Sequence, residues 1–200
     1  KVMVAMSGGV DSSVAAFLLK DEGYEVTGVT MCLGTEKGGA ARCCGLDAIA
    51  DARRVCEKLQ VPHYVFDFSQ ELEEKIIGKF MAEYRRGRTP NPFIDCNRYL
   101  KFGSLLARAQ SLVFVYIATG HYAKIDREGG EGPFLKRPRD RSKDQTYFLY
   151  VIPSHALGKV LFPLAPLTKE ELRHLAKKAG LQVAEKPESQ DLCFVDRDHY

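Results

Sequence analysis

Residues 2–20, VMVAMSGGVDSSVAAFLLK, decide the fold of this chain. The apolar run from Val2 to Met6 has the unbroken hydrophobic character of a strand covered on both faces. The run Ser7–Ser13, SGGVDSS, follows at once, and Val14–Lys20 continues with helical character. Two glycines and three hydroxyls at a strand-to-helix junction make a socket for phosphate. Backbone N–H groups without helical partners and the positive end of the helix dipole converge there. Glycine lets the backbone approach the anion closely. No Gly-Lys-Ser/Thr follows, so this is not the Walker pattern. A Gly-Gly turn with a Ser or Asp cap also starts many helices that bind nothing. The setting of the whole string, between a strand and a helix, favours the phosphate reading.

Outward from this junction the pattern alternates. The helix runs to about Asp21 with Gly23 as its stop, and Glu25–Met31 is a second strand. Leu33–Gly45 is a long glycine- and cysteine-containing loop. Leu46–Leu59 is helical, with Ile49, Ala52, Val55, Cys56 and Leu59 on one face. His63–Phe68 is a third strand. Glu71–Tyr84 is a helix with Leu72, Ile76, Ile77, Phe80 and Tyr84 on one side, and Gly87–Pro92 is a breaker. Leu100–Gln110 is helical and Val113–Ala118 is a strand that leads straight into Thr119-Gly120-His121. Glu128–Pro133 is a turn, and Thr146–Val151 is a strand or the start of a helix. Thr168–Ala179 is a helix with Thr168 as cap, Glu171 closing a capping box and Gly180 as stop. Alternating β and α segments imply an α/β fold with a doubly wound parallel sheet, Rossmann-like. Ligands of such sheets sit at the carboxyl ends of the strands, which is where Ser7, Met31 and Gly120 fall.

Composition bounds the function without naming it. The chain has 200 residues, 45% hydrophobic and 28% charged, with no Trp and a net charge of +3. That suffices for a real core in one domain with a small appendage, and the mild charge does not by itself predict nucleic-acid binding. Two local basic clusters stand out: Arg85, Arg86 and Arg88, and Lys136, Arg137, Arg139, Arg141 and Lys143. No apolar run reaches the length of a membrane span, and no leader peptide is visible ahead of the first strand. The expected location is therefore the cytoplasm, where the six cysteines should be reduced, reactive or metal-bound.

Two of those cysteines are candidates for chemistry. Cys96 lies in TPNPFIDCN, Thr89–Asn97, where two prolines hold the chain extended and Arg88, Arg98 and Lys101 flank the thiol. Nearby cations favour the thiolate. Cys193 lies in PESQDLCFV beside apolar residues, and from position alone a buried structural role weighs as much as a chemical one. Cys43 and Cys44 are adjacent and lack the spacing of a zinc site. Cys56 belongs to a helix core, and Cys32 could only line a pocket. No His/Cys/Asp set has convincing metal spacing, so no protein metal site is expected. His63 reads as an ordinary strand residue, whereas His121, just past a glycine at a strand end, is a better site candidate. Lys143, Asp144 and Gln145 read from position alone as a surface turn.

SGGVDSS resembles the pyrophosphate loop of the ATP pyrophosphatases, which cleave ATP between the α and β phosphates to adenylate a substrate oxygen. Four motifs then coincide in order: SGGVDSS, GRTPNPFIDCNRYLKF, ATGHYAKI, and SKDQTYFLY followed by SQDLCF. As a set, spread from Val2 to Val195, they resemble the tRNA-specific 2-thiouridylases, which thiolate the wobble uridine of certain tRNAs. The resemblance implies an adenine nucleotide alpha hydrolase-like fold in which residues 1–165 form the catalytic domain. Residues 166–200 would lead toward a small central domain. A C-terminal β-barrel, present in the family, would lie beyond this chain.

The resemblance also implies roles. Ala5, Met6, Ser7, Gly8, Gly9, Val10, Asp11 and Ser12 would bind the ATP phosphates, with Mg²⁺ offsetting charge on the leaving pyrophosphate. Met31 and Gly120 would contact the adenosine. Cys193 would take sulfur from a donor protein as a persulfide, and Cys96 would be its catalytic partner, the two ending as a disulfide. Asn91, Pro92 and Phe93 would lie against the target base, and His121, Lys143, Asp144 and Gln145 would contact tRNA. Many relatives carry Asp or Cys where this chain has Phe93, a position with a catalytic or cluster-ligand role. A phenyl ring can do neither, so the sequence departs from the family where an iron–sulfur cluster or a general base would need that residue. Two other readings remain at this stage. One is a different adenylating pyrophosphatase, of the amidotransferase-type synthetase kind. The other is a nucleotide- or tRNA-binding module without catalysis. The oligomeric state is not legible.

Overall fold

The structure is a computed structural model that describes residues 1–34, 46–128 and 132–187. Its centre is β1 (Val2–Ala5), which enters α1 (Val10–Asp21) through the glycine loop. Then come β2 (Val26–Cys32), α2 (Leu46–Lys58) and β3 (His63–Asp67). A helical run follows in which α3 (Ser69–Leu72) passes through a π-helical turn, Glu73–Ile77, into α4 (Gly78–Arg85). A second run starts with α5 (Pro92–Asp95), continues as a π-helical stretch over Cys96–Leu105 and ends in α6 (Leu106–Ser111). β4 (Tyr116–Ala118) is followed by the antiparallel hairpin of β5 (Lys124–Asp126) and β6 (Phe134–Lys136). The short helices α7 (Thr146–Leu149) and α8 (Ser154–Leu157) precede β7 (Val160–Leu161), and α9 (Lys169–Lys178) follows it.

The five-stranded sheet has the order β3-β2-β1-β4-β7, with every pairing parallel. β1 sits in the middle, with Val2 opposite both Val26 of β2 and Tyr116 of β4. Alternation along β1 divides the core. Val2 and Val4 pack with α1, α2 and α9, while Met3 packs on the other face with residues of both long helical runs, α7 and α8. Helices therefore cover both faces, as expected of a doubly wound sheet. Gly23 stops α1 at φ 86° and the capping box of α9 forms between Thr168 and Glu171.

Three local expectations are corrected. The segment after Asn91 is not extended. Pro92 is the first residue of α5, where its fixed φ suits a helix and its missing N–H costs nothing, and Asn91 Oδ1 accepts from Phe93 N–H at 3.1 Å. Cys96 and Asp95 are thus helical residues. In the preceding run Leu72, Ile76 and Ile77 are buried but Tyr84 is exposed, its ring against Phe80 at 4.7 Å. The π-turn holds one extra residue and so rotates every later side chain by about 100° off the core face. Val113 is outside the strand. It ends α6 at φ 62°, donating to Gln110 O while Phe114 N–H reaches Ala109 O, a Schellman closure with valine at the glycine position. Of the two readings of Thr146–Val151, the helix start is the one that forms, over Thr146–Leu149.

Candidate functional site

The carboxyl ends of β1, β2 and β4 open on one edge of the sheet, and the loop from Met6 to Gly9 lies there. Gly8 has φ 70°, and a Cβ on it would collide with the carbonyl oxygen of Ala48. The loop therefore passes against the first turn of α2 where only glycine fits. Gly9 is the N-cap residue of α1 and offers no side-chain cap, so the first N–H groups of that helix are left for another acceptor. The hydroxyls fix the loop from within. Ser13 Oγ donates to Gly9 O at 2.8 Å, Ser12 Oγ to the same oxygen at 3.1 Å, and Ser7 N–H donates to Ser12 Oγ at 3.2 Å. An uncapped helix start beside a glycine turn can receive an anion without rearrangement.

Three side chains that the sequence reading did not single out close around it. Tyr122 OH donates to Asp11 Oδ1 at 3.2 Å and Lys169 Nζ to the same oxygen at 2.6 Å. Lys186 Nζ donates to Gly8 O at 3.1 Å and to Asp51 Oδ2 at 2.6 Å. Gly120 touches the loop from β4. A Cβ there would lie 2.7 Å from Ser12 N and 2.8 Å from the Asp11 carbonyl carbon. Gly120 is thus in contact with α1, while Met31 is partly buried near the carboxyl end of β2.

A line of contacts leads from the loop to the cysteine helix. Gln145 Oε1 accepts from Tyr122 N–H at 2.9 Å, and Gln145 N–H donates to Tyr122 O at 3.0 Å. Asp144 precedes α7 in an Asx turn, accepting from Thr146 N–H at 3.0 Å, and pairs with Arg137 at 3.3 Å. Lys143 ends the turn before it, its N–H on Asp140 O. Phe148 of α7 meets Phe93 at a ring distance of 5.9 Å, and its carbonyl accepts from Asn97 Nδ2 at 3.3 Å. Asn97, next to Cys96, is 2% exposed, and its Oδ1 has no hydrogen-bond partner among the described residues. Asn91, Pro92, Phe93 and Cys96 therefore join Lys143–Gln145 through α7. Phe93 itself is half exposed and Tyr147, stacked on Phe148 at 3.8 Å, is 62% exposed.

The electrostatics of Cys96 differ from expectation. Burial pushes its thiol up from the ordinary value, and Lys101 only partly offsets that. The cations near Cys96 in sequence do not prevail, because desolvation disfavours the thiolate more than Lys101 favours it. His121 is held well below its ordinary value, first by burial and then by Lys101. Lys101 Nζ lies 3.5 Å from His121 Nε2, and Thr119 Oγ1 lies 2.7 Å from Nδ1. An ammonium only donates, so Nε2 is the acceptor and Nδ1 carries the proton. Phe102 and Phe162 flank this neutral ring.

Cys56 is buried, with its thiol pushed up to about 11. His63 bonds to Thr30 through Nε2 at 2.8 Å and is lowered by burial. Cys193, Cys43 and Cys44 lie outside the described residues. Among the described residues no three His, Cys, Asp or Glu side chains gather as a metal group, Cys32, Cys56 and Cys96 are free thiols, and no helix is long and apolar enough to cross a membrane.

Comparison with known proteins places this arrangement. A curated relative from Syntrophus aciditrophicus (strain SB), named tRNA-specific 2-thiouridylase MnmA 1, is 62% identical over 201 residues, covering 100% of this chain and 54% of the relative. Another, the tRNA-specific 2-thiouridylase MnmA of Pelotomaculum thermopropionicum, is 51% identical over 206 residues, covering 100% of this chain and 56% of the relative. The chain spans about half the length of the curated relatives it matches. Among solved structures, a 4-thiouridine synthetase–RNA complex with bound ATP superposes with TM-score 0.56 at 16% identity, over 96% of this chain and 44% of the other. A glutamine-dependent NAD+ synthetase from Acinetobacter baumannii, in complex with ADP, gives TM-score 0.57 at 13% identity, over 94% of this chain and 32% of the other. These two show the shared fold. The model of the tRNA methyl transferase HUP domain matches residues 1–197, and the chain belongs to that family.

Proposed function

We propose that this chain is the ATP-binding catalytic part of a tRNA-uridine 2-sulfurtransferase acting in the cytoplasm. The observation that carries the reading is the uncapped start of α1 behind Gly8 and Gly9, linked by Tyr122, Gln145 and Phe148 to the helix of Cys96. The high identity to relatives named 2-thiouridylases supports the substrate class, and residues 1–165 would carry the catalysis.

The chemistry runs in two stages. The loop Ala5–Ser12 holds the ATP phosphates, with Met31 and Gly120 against the adenosine. The uridine C2 oxygen bonds to the α-phosphorus. The bond to the bridging oxygen breaks, and pyrophosphate leaves with the electron pair. The helix dipole and loop N–H groups stabilise that charge. Mg²⁺ would arrive with the phosphates. Ser7, Ser12 and Asp11 carry the side-chain oxygens that would hold it at the loop, and no step is routed through the ion.

Sulfur then replaces the activated oxygen. A donor protein's persulfide charges Cys193, whose terminal sulfur attacks C2 as AMP departs. Cys96 attacks the Cys193 Sγ, releasing the sulfur on C2 as 2-thiouridine and leaving a Cys96–Cys193 disulfide for a thiol reductant to reopen. Burial favours the neutral Cys96 thiol; as its sulfur attacks, its proton passes to N3 of the base, which lost one when the C2 oxygen was adenylated. Asn91, Pro92 and Phe93 face the unstacked base, and His121 with Lys143–Gln145 meets the tRNA backbone. Phe93 has no metal-ligating atom, so the scheme uses no iron–sulfur cluster.

The test is ATP-dependent thiolation of tRNA by the full-length protein with a persulfide donor. Cys96→Ser and Cys193→Ser should each abolish 2-thiouridine while pyrophosphate release persists. Undiminished thiolation by either variant would overturn the assignment.

A further inference from the structure

The phosphate loop has no cation of its own. SGGVDSS contains no Lys or Arg, yet a bound triphosphate and its departing pyrophosphate carry charge that backbone N–H groups alone offset only in part. The fold brings a lysine to the loop from 178 positions away: Lys186 Nζ on Gly8 O at 3.1 Å.

We infer that Lys186 is a phosphate-binding residue of this site, contacting the β- or γ-phosphate of ATP and then the leaving pyrophosphate. The inference rests on the adenylating reading above and names the residue that completes its anion site. Three observations carry it. The first is position. Gly8 is the left-handed residue of the loop, so an ammonium on its carbonyl stands at the rim of the phosphate socket. The second is valence. An ammonium has three donors, and the structure assigns two acceptors, Gly8 O and Asp51 Oδ2. Among the described residues these are its only acceptors, which leaves a third donor for a phosphate oxygen. The Asp51 carboxylate is also a single negative charge that a more highly charged phosphate can outbid.

The third is anchoring. Lys186 follows the 3₁₀ turn Gln182–Glu185, whose Val183 and Ala184 are buried in the same core as α1. Arg173 of α9 donates to Ala184 O at 2.7 Å and to Lys186 O at 3.4 Å. The backbone under Lys186 is therefore held, and only its flexible side chain needs to turn from carboxylate to phosphate. Lys169 plays a different part. It grips Asp11 Oδ1 in the first turn of α1 and sets the loop's geometry.

Equilibrium binding of ATP, pyrophosphate and AMP to the full-length protein tests this. Lys186→Met should weaken ATP and pyrophosphate about tenfold or more, the worth of a charged hydrogen bond. AMP, which has no β or γ phosphate, should stay within twofold. Lys186→Arg should recover most of the loss. Asp51→Asn separates binding from a structural tie. If Lys186 serves phosphate, Asp51→Asn leaves ATP affinity equal or higher. Equal losses in Lys186→Met and Asp51→Asn would overturn the inference, as would a Lys186→Met protein that binds pyrophosphate like the wild type. A wild-type protein that binds ATP through Lys186 but makes no 2-thiouridine would sink the thiolation reading alone. A wild-type protein that binds no ATP would sink both.

Discussion

Gly120→Ala converts the contact between β4 and α1 into a measurement. The added methyl would sit 2.7 Å from Ser12 N, 2.8 Å from the Asp11 carbonyl carbon and 3.0 Å from Asp11 Cβ. Two of these three neighbours are backbone, so no side-chain rotation relieves the clash. Ordinary contact begins near 3.4 Å, so the Gly120 loop and the start of α1 must part by about 0.7 Å at the tightest point. Overpacking of this kind costs about 1–3 kcal/mol, or roughly 2–12 °C in a domain of this size. The functional loss should be larger than the stability loss suggests. The displaced atoms are the first-turn backbone of the phosphate site, where a misplacement approaching 1 Å costs up to about a hundredfold. Urea unfolding and calorimetric ATP titration of the same preparation read both effects. An alanine variant with wild-type ATP affinity and stability within about 0.5 kcal/mol would refute the claim that this glycine is required by close approach.

Other outcomes follow from features far from that contact. Val113→Gly should stabilise the protein by about 0.5–1 kcal/mol, because a β-branched residue at φ 62° is strained and glycine's greater unfolded-state freedom cancels only part of the relief; Val113 is 79% exposed, so little packing is lost, and an unchanged urea midpoint would refute it. His121 should make stability fall on mild acidification: its folded value lies below the unfolded 6.5, so below pH 6.5 the unfolded chain takes up a proton that the folded chain refuses. The slope is at most about 1.4 kcal/mol per pH unit for this ring, His63 adds to the same window, and His121→Gln should flatten the curve between pH 6.5 and 5; an unaltered slope would count against the assignment. Cys96 should react with iodoacetamide more slowly than a free thiol at pH 8, since burial raises it, and mass-spectrometric labelling that proceeds at the free-thiol rate would contradict that.

Much of this architecture is written locally. The Val2–Lys20 junction reads correctly because its strand, turn and helix signals are adjacent, and the Thr168–Glu171 capping box is likewise self-contained. Errors arise where a local signal has two meanings. Asn91-Pro92 suggests a breaker, yet Asn at the cap and Pro at the first helical position also begin a helix, and that second meaning prevails. The position of Tyr84 could not be read from a 3.6 period once a π-turn shifted the phase. At the site, tertiary structure decides what sequence distance hides. Nothing near Lys169 or Lys186 points to Asp11 or Gly8, and the burial that governs Cys96 belongs to no single segment. β7 has two residues and no periodic signature, but it fills the edge beside β4.

The grip of Lys169 on Asp11 joins residues 158 positions apart, and this has a consequence for how the protein is made. At about 5–20 residues per second, ribosomal synthesis separates the emergence of those partners by roughly 8–30 s. In the first part of that interval β1 can pair with β2 alone; β4 (Tyr116–Ala118) is made later, and the lysine of α9 last. The phosphate loop is thus completed long after its own residues are made. The nascent chain therefore holds an exposed edge of β1 until β4 has been made. A nucleotide added during synthesis should consequently protect the chain only after the segment through Lys186 has left the exit tunnel, when Lys169 holds Asp11 and Lys186 reaches Gly8.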